Sequence, residues 1–441
     1  MATADRVIRS RRVVLPDGMR PAAIRVRDGV IVGTEAYDTA SGDDYGELVI
    51  MPGLVDTHVH INEPGRTEWE GFATATEAAA AGGVTTLIEM PLNSIPATVC
   101  VKAYEEKVAA AEGKCRVDVG FWGGVIPGNE DEIGALWEAG CFGFKCFLSP
   151  SGVEEFPNVT EAVLLLAMPE IAARGGVLLA HAEDPAELRS PVGDSRSYEA
   201  YLASRPRRAE DAAIELLIRL SRETKCCVHI VHLSSSDSLP QLRPARAAGA
   251  PITIETCPHY LTFDAERIAD GATEFKCAPP IREAENRERL WNALMNGEID
   301  LVASDHSPCP PAMKKKETGD FFAAWGGIAS LELGLAAVWT EARRHGAGIE
   351  DVARWMSYRP AQLAGLGGRK GALAVGYDAD IVVWEPEAEF TVEASRLHQR
   401  HKLTPYAGRK LSGVVQKTIL RGADVAAESC PSGTILKRNR L

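Results

Sequence analysis

Two histidines one residue apart, His58 and His60, end an apolar run that starts at Val55. In a β-strand, side chains at positions i and i+2 share a face, so the two imidazoles project to the same side. Neutral imidazole is the commonest protein ligand for metals. The pair alone is equally compatible with two histidines that cap a core strand. The metal interpretation therefore depends on what other strand-like runs contribute.

Later apolar runs carry further groups that bind metals, namely Lys145, His181, His232 and Asp305. Lys145 is the least expected, because a buried lysine has to be neutralised, paired or chemically altered. Carboxylation by CO2 would convert its amine into an anionic bridge with two oxygens. His229 precedes His232 by three residues, so strand alternation places the two on opposite faces, and the strand-end position favours His232 as the ligand. Together these residues predict a metal centre.

Eight apolar, strand-like runs supply this set, and helical patterns lie between them. The predicted strands span residues 55–61, 84–90, 116–122, 143–148, 177–183, 228–234, 252–259 and 299–306. The predicted helices between them span residues 70–81, 97–112, 160–174, 209–223 and 285–296. This alternation favours an α/β fold, a closed (β/α)8 TIM-like barrel whose chemistry lies at the C-terminal strand ends. An open doubly wound sheet is the alternative, but no Gly-rich dinucleotide loop follows any of these runs.

The two ends of the chain have a different pattern, with short strands and turns in place of strand–helix units. Residues 1–50 read as a small antiparallel sheet, and the same pattern returns at residues 371–384 and 413–420. We therefore predict a small β-sandwich domain built from residues 1–50 and 370–441. The barrel would occupy residues 51–369.

Composition narrows the class of partner. The 441 residues carry a formal net charge of −13, which argues against nucleic acid or an anionic membrane as a partner. No apolar run reaches the roughly 18 residues that span a bilayer, and the first residues lack the apolar stretch of a secretory signal. The ten cysteines show no disulfide-scaffold spacing. These features predict a cytoplasmic enzyme with a small-molecule substrate.

Three segments resemble the cyclic amidohydrolases, the family of dihydroorotases, hydantoinases and allantoinases. They are DTHVHINEPGRTEWEGF at 56–72, GFKCFLSPSGVEEFP at 143–157 and ASDHSPC at 303–309, and the similarity runs from about residue 50 to the C-terminus. All six metal positions of the family are matched, by His58, His60, Lys145, His181, His232 and Asp305.

The resemblance implies two divalent ions. One would be held by His58, His60 and Asp305, the other by His181 and His232, with Lys145 bridging them as N6-carboxylysine, a carbamate formed with CO2. Zinc is the first expectation, and manganese, cobalt, nickel and iron are compatible with the same ligands. The resemblance further implies a hydroxide that bridges the metals and attacks a ring carbonyl, with Asp305 as general base and then acid. Relatives are commonly tetramers, so a homotetramer is expected.

Within the family, the three segments look most like allantoinases, which implies hydrolysis of the ring amide of (S)-allantoin, a cyclic ureide, to allantoate in purine catabolism. Dihydroorotases resemble one another in a His-x-His-x-Arg pattern, where the arginine pairs with the substrate carboxylate. This chain has Asn62 at that position, although Arg66 could substitute from the loop. The implied substrate contacts are Asn62, Asn93, Cys277 and Gly327. The alternatives are a hydantoinase or dihydropyrimidinase, a dihydroorotase, and a non-catalytic scaffold with a hydantoinase-like fold.

Overall fold

The structure is a computed structural model that describes residues 5–39, 41–425 and 430–438. The strands are β1 (Arg6–Leu15), β2 (Gly18–Arg27), β3 (Val30–Glu35), β4 (Asp43–Asp44), β5 (Val49–Pro52), β6 (Leu54–Val59), β7 (Val84–Glu89), β8 (Asp118–Phe121), β9 (Gly123–Gly124), β10 (Phe144–Phe147), β11 (Val177–His181), β12 (Cys227–Ile230), β13 (Ile252–Thr256), β14 (Leu301–Val302), β15 (Ile381–Thr391), β16 (Lys410–Leu420) and β17 (Ala423–Asp424).

The helices are α1 (Phe72–Ala81), α2 (Val101–Ala111), α3 (Glu132–Ala139), α4 (Glu161–Ala173), α5 (Tyr198–Ser204), α6 (Arg207–Thr224), α7 (Leu239–Ala247), α8 (Pro258–Thr262), α9 (Ala284–Met295), α10 (Gly334–Ala342), α11 (Ile349–Ala353) and α12 (Arg359–Leu363). A π-helical turn, Arg354–Tyr358, joins α11 to α12. Short 3-10 turns lie at Ser236–Ser238, Ala265–Arg267, Thr273–Phe275, Pro311–Lys314, Leu331–Leu333, Arg343–His345 and Ala394–Arg396. None of these helices is both long and apolar enough to cross a membrane, within the described ranges of the chain.

Two parallel sheets hold the predicted strands. One has the order β6-β7-β8, and the other runs β9-β10-β11-β12-β13-β14. Each of the eight predicted strands overlaps an observed one, so the expected α/β fold with parallel strands is confirmed. The strands are rich in Val, Ile and Leu because helices cover a parallel sheet and leave both of its faces buried. The last strand of the second parallel sheet, β14, covers only two residues of the predicted 299–306, because regular pairing ends at Val302.

The two parallel sheets meet at two places. Val59 at the end of β6 forms a parallel bridge with His306, just beyond β14, and the His60 N–H donates to the His306 carbonyl at 2.8 Å. On the other side β8 leads directly into β9 through Trp122, whose N–H donates to the Glu89 carbonyl at 3.0 Å. The C-terminal ends of strands from both sheets therefore lie on one side of the molecule.

A third sheet joins the two ends of the chain. Its order is β17-β16-β15-β5-β1-β2-β3, with β4 on β1, and β15 runs antiparallel to β5 with Ile381 opposite Pro52. The predicted sandwich of two layers is, in the described residues, one continuous hydrogen-bonded sheet of eight strands. Register shifts in β1, β2 and β15 bend it, since a bulge kinks a strand without ending its pairing.

A buried network of ion pairs connects this third sheet to β8 in the first parallel sheet. Lys370 Nζ lies 2.8 Å from Asp118 at the start of β8, 2.5 Å from Asp380 and 3.1 Å from Asp378. Arg421, in the turn after β16, also pairs with Asp118. Lys370 is 1% exposed, so its charge depends on these carboxylates for compensation.

Candidate active site

His58, His60 and Asp305 meet at the C-terminal end of β6 and beyond β14. Asp305 Oδ1 lies 3.1 Å from His58 Nε2 and 3.5 Å from His60 Nε2, and all three side chains are buried. Asp305 has φ 44°, a left-handed conformation that turns its carboxylate away from the strand direction. The three ligand atoms lie within 4.8 Å of one another. This spacing suits a single divalent ion.

His181 and His232 converge beside this group. His181 Nδ1 lies 3.0 Å from His232 Nε2, and the ring of His232 is 5.4 Å from that of His58. Burial lowers the pKa of both His181 and His232, so both rings are neutral. Two facing imidazole nitrogens with neutral rings offer lone pairs to a cation. The arrangement fits a second divalent ion.

Lys145 lies on β10, next to these histidines in the sheet order. It is fully buried, and its Nζ has no hydrogen-bond partner among the residues that the structure describes. Burial lowers the pKa of Lys145 to about 8. A neutral amine is the form that reacts with CO2. The resulting carbamate would place two oxygens, which can bind a cation, where Nζ alone has no hydrogen-bond partner. The site therefore accommodates the predicted modification.

Glu255 on β13 hydrogen-bonds to three histidines, His58, His229 and His232. Its carboxylate accepts from His58 Nδ1, from His229 Nε2 at 3.0 Å and from the His232 backbone N–H at 3.2 Å. His229 Nδ1 in turn contacts Thr253 Oγ1 at 2.7 Å. A proton held on Nδ1 of His58 leaves Nε2 free to bind a metal. Glu255 was not among the predicted site residues, although a lone glutamate in the apolar run ITIET was a signal for it. His229, which was predicted to lie outside the ligand set, hydrogen-bonds to Glu255.

Glu183 plays the same part for His181. Its Oε2 lies 2.7 Å from His181 Nε2, so the His181 Nδ1 is turned toward His232. Arg205 Nε donates to the other carboxylate oxygen at 3.0 Å. Burial opposes ionisation of Glu183, but Arg205 and His181 outweigh it and hold its pKa well below the usual range. Glu183 was also not predicted, although it follows His181 by two residues, the spacing that puts two side chains on one face of a strand; its other partner, Arg205, comes from a distant segment.

A cavity of about 680 Å³ opens above these groups. Three of the four predicted substrate contacts, Asn93, Cys277 and Gly327, line it together with His60. The Asn93 side-chain amide lies 3.3 Å from His60 Nδ1, so Asn93 contacts both the cavity and a candidate ligand. These three positions are placed where they could contact a small ring.

The fourth predicted contact, Asn62, is placed differently. Its side chain is fully buried outside the cavity lining, with Nδ2 3.5 Å from the Pro308 carbonyl. Asn62 adopts φ 68° and no longer follows the alternation of β6, and its contact with a substrate stays a prediction. Arg66, considered as a substitute carboxylate receptor, pairs with Glu155 and donates to the Asn93 carbonyl at 2.9 Å. Its charge is therefore already compensated.

Comparisons with known proteins point to one family. The model of the amidohydrolase family matches residues 49–425. An allantoinase from Streptomyces avermitilis is 51% identical over 99% of this chain and 100% of its own length. An allantoinase from Arabidopsis thaliana is 45% identical over 96% of this chain and 88% of its own length. The structure of an L-hydantoinase (dihydropyrimidinase) from Arthrobacter aurescens superposes with a TM-score of 0.92 at 32% identity, covering 99% of this chain and 100% of that one. The chain belongs to the amidohydrolase family.

Proposed function

We propose that this protein is an allantoinase, which hydrolyses the ring amide of (S)-allantoin to allantoate in purine catabolism. The observation that carries the proposal is the convergence, from widely separated strand ends, of five of the six predicted residues on one cavity: His58, His60, His181, His232 and Asp305. The sixth, Lys145, is buried on β10, the strand next to the one that carries His181. The full-length similarity to allantoinases supports the choice of substrate. A hydantoinase is the second candidate, because the solved relative of similar shape is an L-hydantoinase.

We propose that His58, His60 and Asp305 would hold one divalent ion and His181 and His232 a second, and that Lys145, once carboxylated, would add its oxygens to this ligand set. The orphaned, buried Nζ of Lys145 and the facing nitrogens of the two neutral histidines support this assignment. When bound, such a pair of ions supplies Lewis acidity and a water made acidic enough to react near pH 7. Zinc suits histidine and carboxylate ligands, and manganese, cobalt, nickel or iron would accept the same set.

Asp305 moves the proton. Burial opposes its ionisation, but His58 and His60 hold its pKa well below the usual range, so it is a carboxylate at neutral pH. Asp305 would accept a proton from the attacking water, and bound metal ions would supply the acidity that this water needs. Its carboxylate then returns the proton to the ring nitrogen as the C–N bond breaks. Asn93 and the backbone around Cys277 and Gly327 would orient the ring.

We further infer that the two parallel sheets close into one (β/α)8 barrel over residues 51–369. The bridge from Val59 to His306 on one side, and the continuity of β8 and β9 on the other, support closure. Residues 1–50 and 370–441 would form the second domain around the third sheet. We propose a homotetramer in the cytoplasm, and ten unpaired cysteines are in keeping with a reducing compartment.

The test is hydrolysis of racemic allantoin by purified protein, with metal content measured on the same sample and dihydroorotate and hydantoin as comparison substrates. We expect turnover of one allantoin enantiomer with about two ions per chain. Asp305→Asn should abolish turnover and retain some metal, whereas Asp237→Asn, at an exposed aspartate outside the cavity, should behave as wild type. Two ions per chain with hydantoin turned over in place of allantoin would support the second candidate.

A further inference from the structure

The charges that line the cavity are unbalanced. Four cationic side chains line it, from Arg189, Arg205, Lys276 and Lys315, against one carboxylate, from Asp305. Arg205 is neutralised by Glu183. In the described part of the chain, no carboxylate lies within 4.0 Å of the charged ends of the other three. On a protein with a net charge of −13, such a concentration of positive charge is local to this cavity.

Lys276 is the least exposed of these three cations. Its Nζ donates to the carbonyls of Phe322 at 3.2 Å and Ala324 at 2.6 Å, and lies 5.1 Å from the centre of the Tyr201 ring. These neutral acceptors satisfy its hydrogen bonds but leave its charge uncompensated. An ammonium that is partly shielded from water and has no carboxylate in contact favours an anionic ligand. The missing counter-ion has therefore to be sought in what the cavity binds.

A second lysine behind the cavity wall increases the imbalance. Lys314 is 5% exposed, and its Nζ donates to the carbonyls of Lys276 at 3.2 Å, Trp325 at 3.0 Å and Gly327. It too has neutral acceptors in place of a carboxylate. Two neighbouring ammonium groups thus brace the segments around residues 276–278 and 322–327, and both leave positive charge at the cavity.

The chemistry of ring opening supplies a counter-ion, and here the inference rests on the proposed function. Water oxygen bonds to the ring carbonyl carbon, the C–N bond breaks, the ring nitrogen gains one proton and the new carboxylic acid loses the other. A neutral cyclic ureide becomes a small ureido carboxylate. We propose that Lys276, with Lys315 and Arg189 at the mouth, forms a subsite for the carboxylate of this ring-opened product.

Such a subsite distinguishes the product from the substrate, because a fixed positive charge interacts more strongly with the product carboxylate than with the neutral ring. The corresponding cost is inhibition by product. A purely structural role for Lys276 and Lys314, as braces of the cavity wall, would instead affect neutral and anionic ligands alike.

The test is calorimetric binding of N-carbamoylglycine, a small ureido carboxylate, to the metal-loaded protein, with its uncharged amide as the comparison ligand. We expect Lys276→Met to weaken carboxylate binding about tenfold, as for one charge-assisted contact, and to leave amide binding within about twofold. Lys315→Gln should weaken carboxylate binding about threefold, because an exposed charge contributes less. Lys316→Gln is the matched control, since Lys316 pairs with Glu274 outside the cavity lining.

Equal loss of carboxylate and amide binding in Lys276→Met, or unchanged carboxylate binding in both variants, would overturn the subsite. If Lys276→Met does not fold, Lys315→Gln and Arg189→Gln decide, because both side chains are exposed. The binding assay needs no turnover. Charge-selective binding without allantoin hydrolysis would refute the proposed function alone, and allantoin hydrolysis with charge-blind binding would refute the subsite alone.

Discussion

Glu255→Gln tests whether the orientation of His58 is set from outside the metal site. The glutamate accepts from His58 Nδ1, His229 Nε2 and the His232 backbone, and is fully buried. Glutamine has nearly the same shape, but one acceptor oxygen becomes a donor that faces an imidazole N–H. His58 would then favour the tautomer with its proton on Nε2, the nitrogen that points to Asp305. Loss of such an outer carboxylate costs about 10- to 100-fold in metal affinity, or about 1.4–2.7 kcal/mol.

The assay is competition for metal against a chromogenic chelator, with the tautomer of His58 read by nitrogen NMR in the metal-free protein. Glu215→Gln, which removes an exposed carboxylate on α6, is the control and should match wild type. A folded Glu255→Gln protein that binds metal within about twofold of wild type, with His58 still protonated on Nδ1, would refute the reasoning.

Three further outcomes follow from the structure. Lys145→Ala should lower metal content below about one ion per chain and abolish turnover, because the oxygens proposed for the carboxylated lysine are lost. Adding a short carboxylic acid should restore part of both, and full metal content in the variant would contradict this. Binding of N-carbamoylglycine should weaken as pH rises through about 8. The reason is that burial, Lys314 and Arg205 lower the pKa of Lys276 to about 8, so that its charge is lost above that value. An equally steep profile in Lys276→Met would exclude Lys276 as the group that causes this pH dependence. Lys370→Met should lower the free energy of unfolding by about 3–5 kcal/mol, since three buried aspartates lose the cation that they share, and Arg421 and Arg369 still pair with only two of them. A loss below about 1 kcal/mol in urea titration would show that the network is not stabilising.

The strands and the candidate ligands could be predicted because both depend on local pattern. His58 and Asp305 are far apart in the chain, yet each follows an apolar run, and parallel strands bring their C-terminal ends to one side of the molecule. Glu255 and Glu183 could not be assigned in the same way. A lone carboxylate does not indicate which histidine it faces, since that depends on the register between β12 and β13 and on the loop that carries Arg205.

Asn62 shows where the strand pattern ends. The predicted first strand ran to residue 61, but regular pairing in β6 ends at Val59. Beyond it the chain turns, and Asn62, which takes a positive φ, is fully buried and outside the cavity lining. Family resemblance transfers a position more reliably than a side-chain direction, because direction changes with every residue gained or lost from regular structure.

The pairing of β5 with β15 has a consequence for how the chain is made. Pro52 and Ile381, which lie opposite each other, are separated by about 330 residues. At about 5–20 residues per second, the ribosome needs roughly 15–65 s to deliver β15 after β5 has been synthesised. During that interval β5 presents an open edge, which is the kind of surface that pairs with other chains. Incomplete chains that end before residue 381 are therefore the species expected to aggregate first.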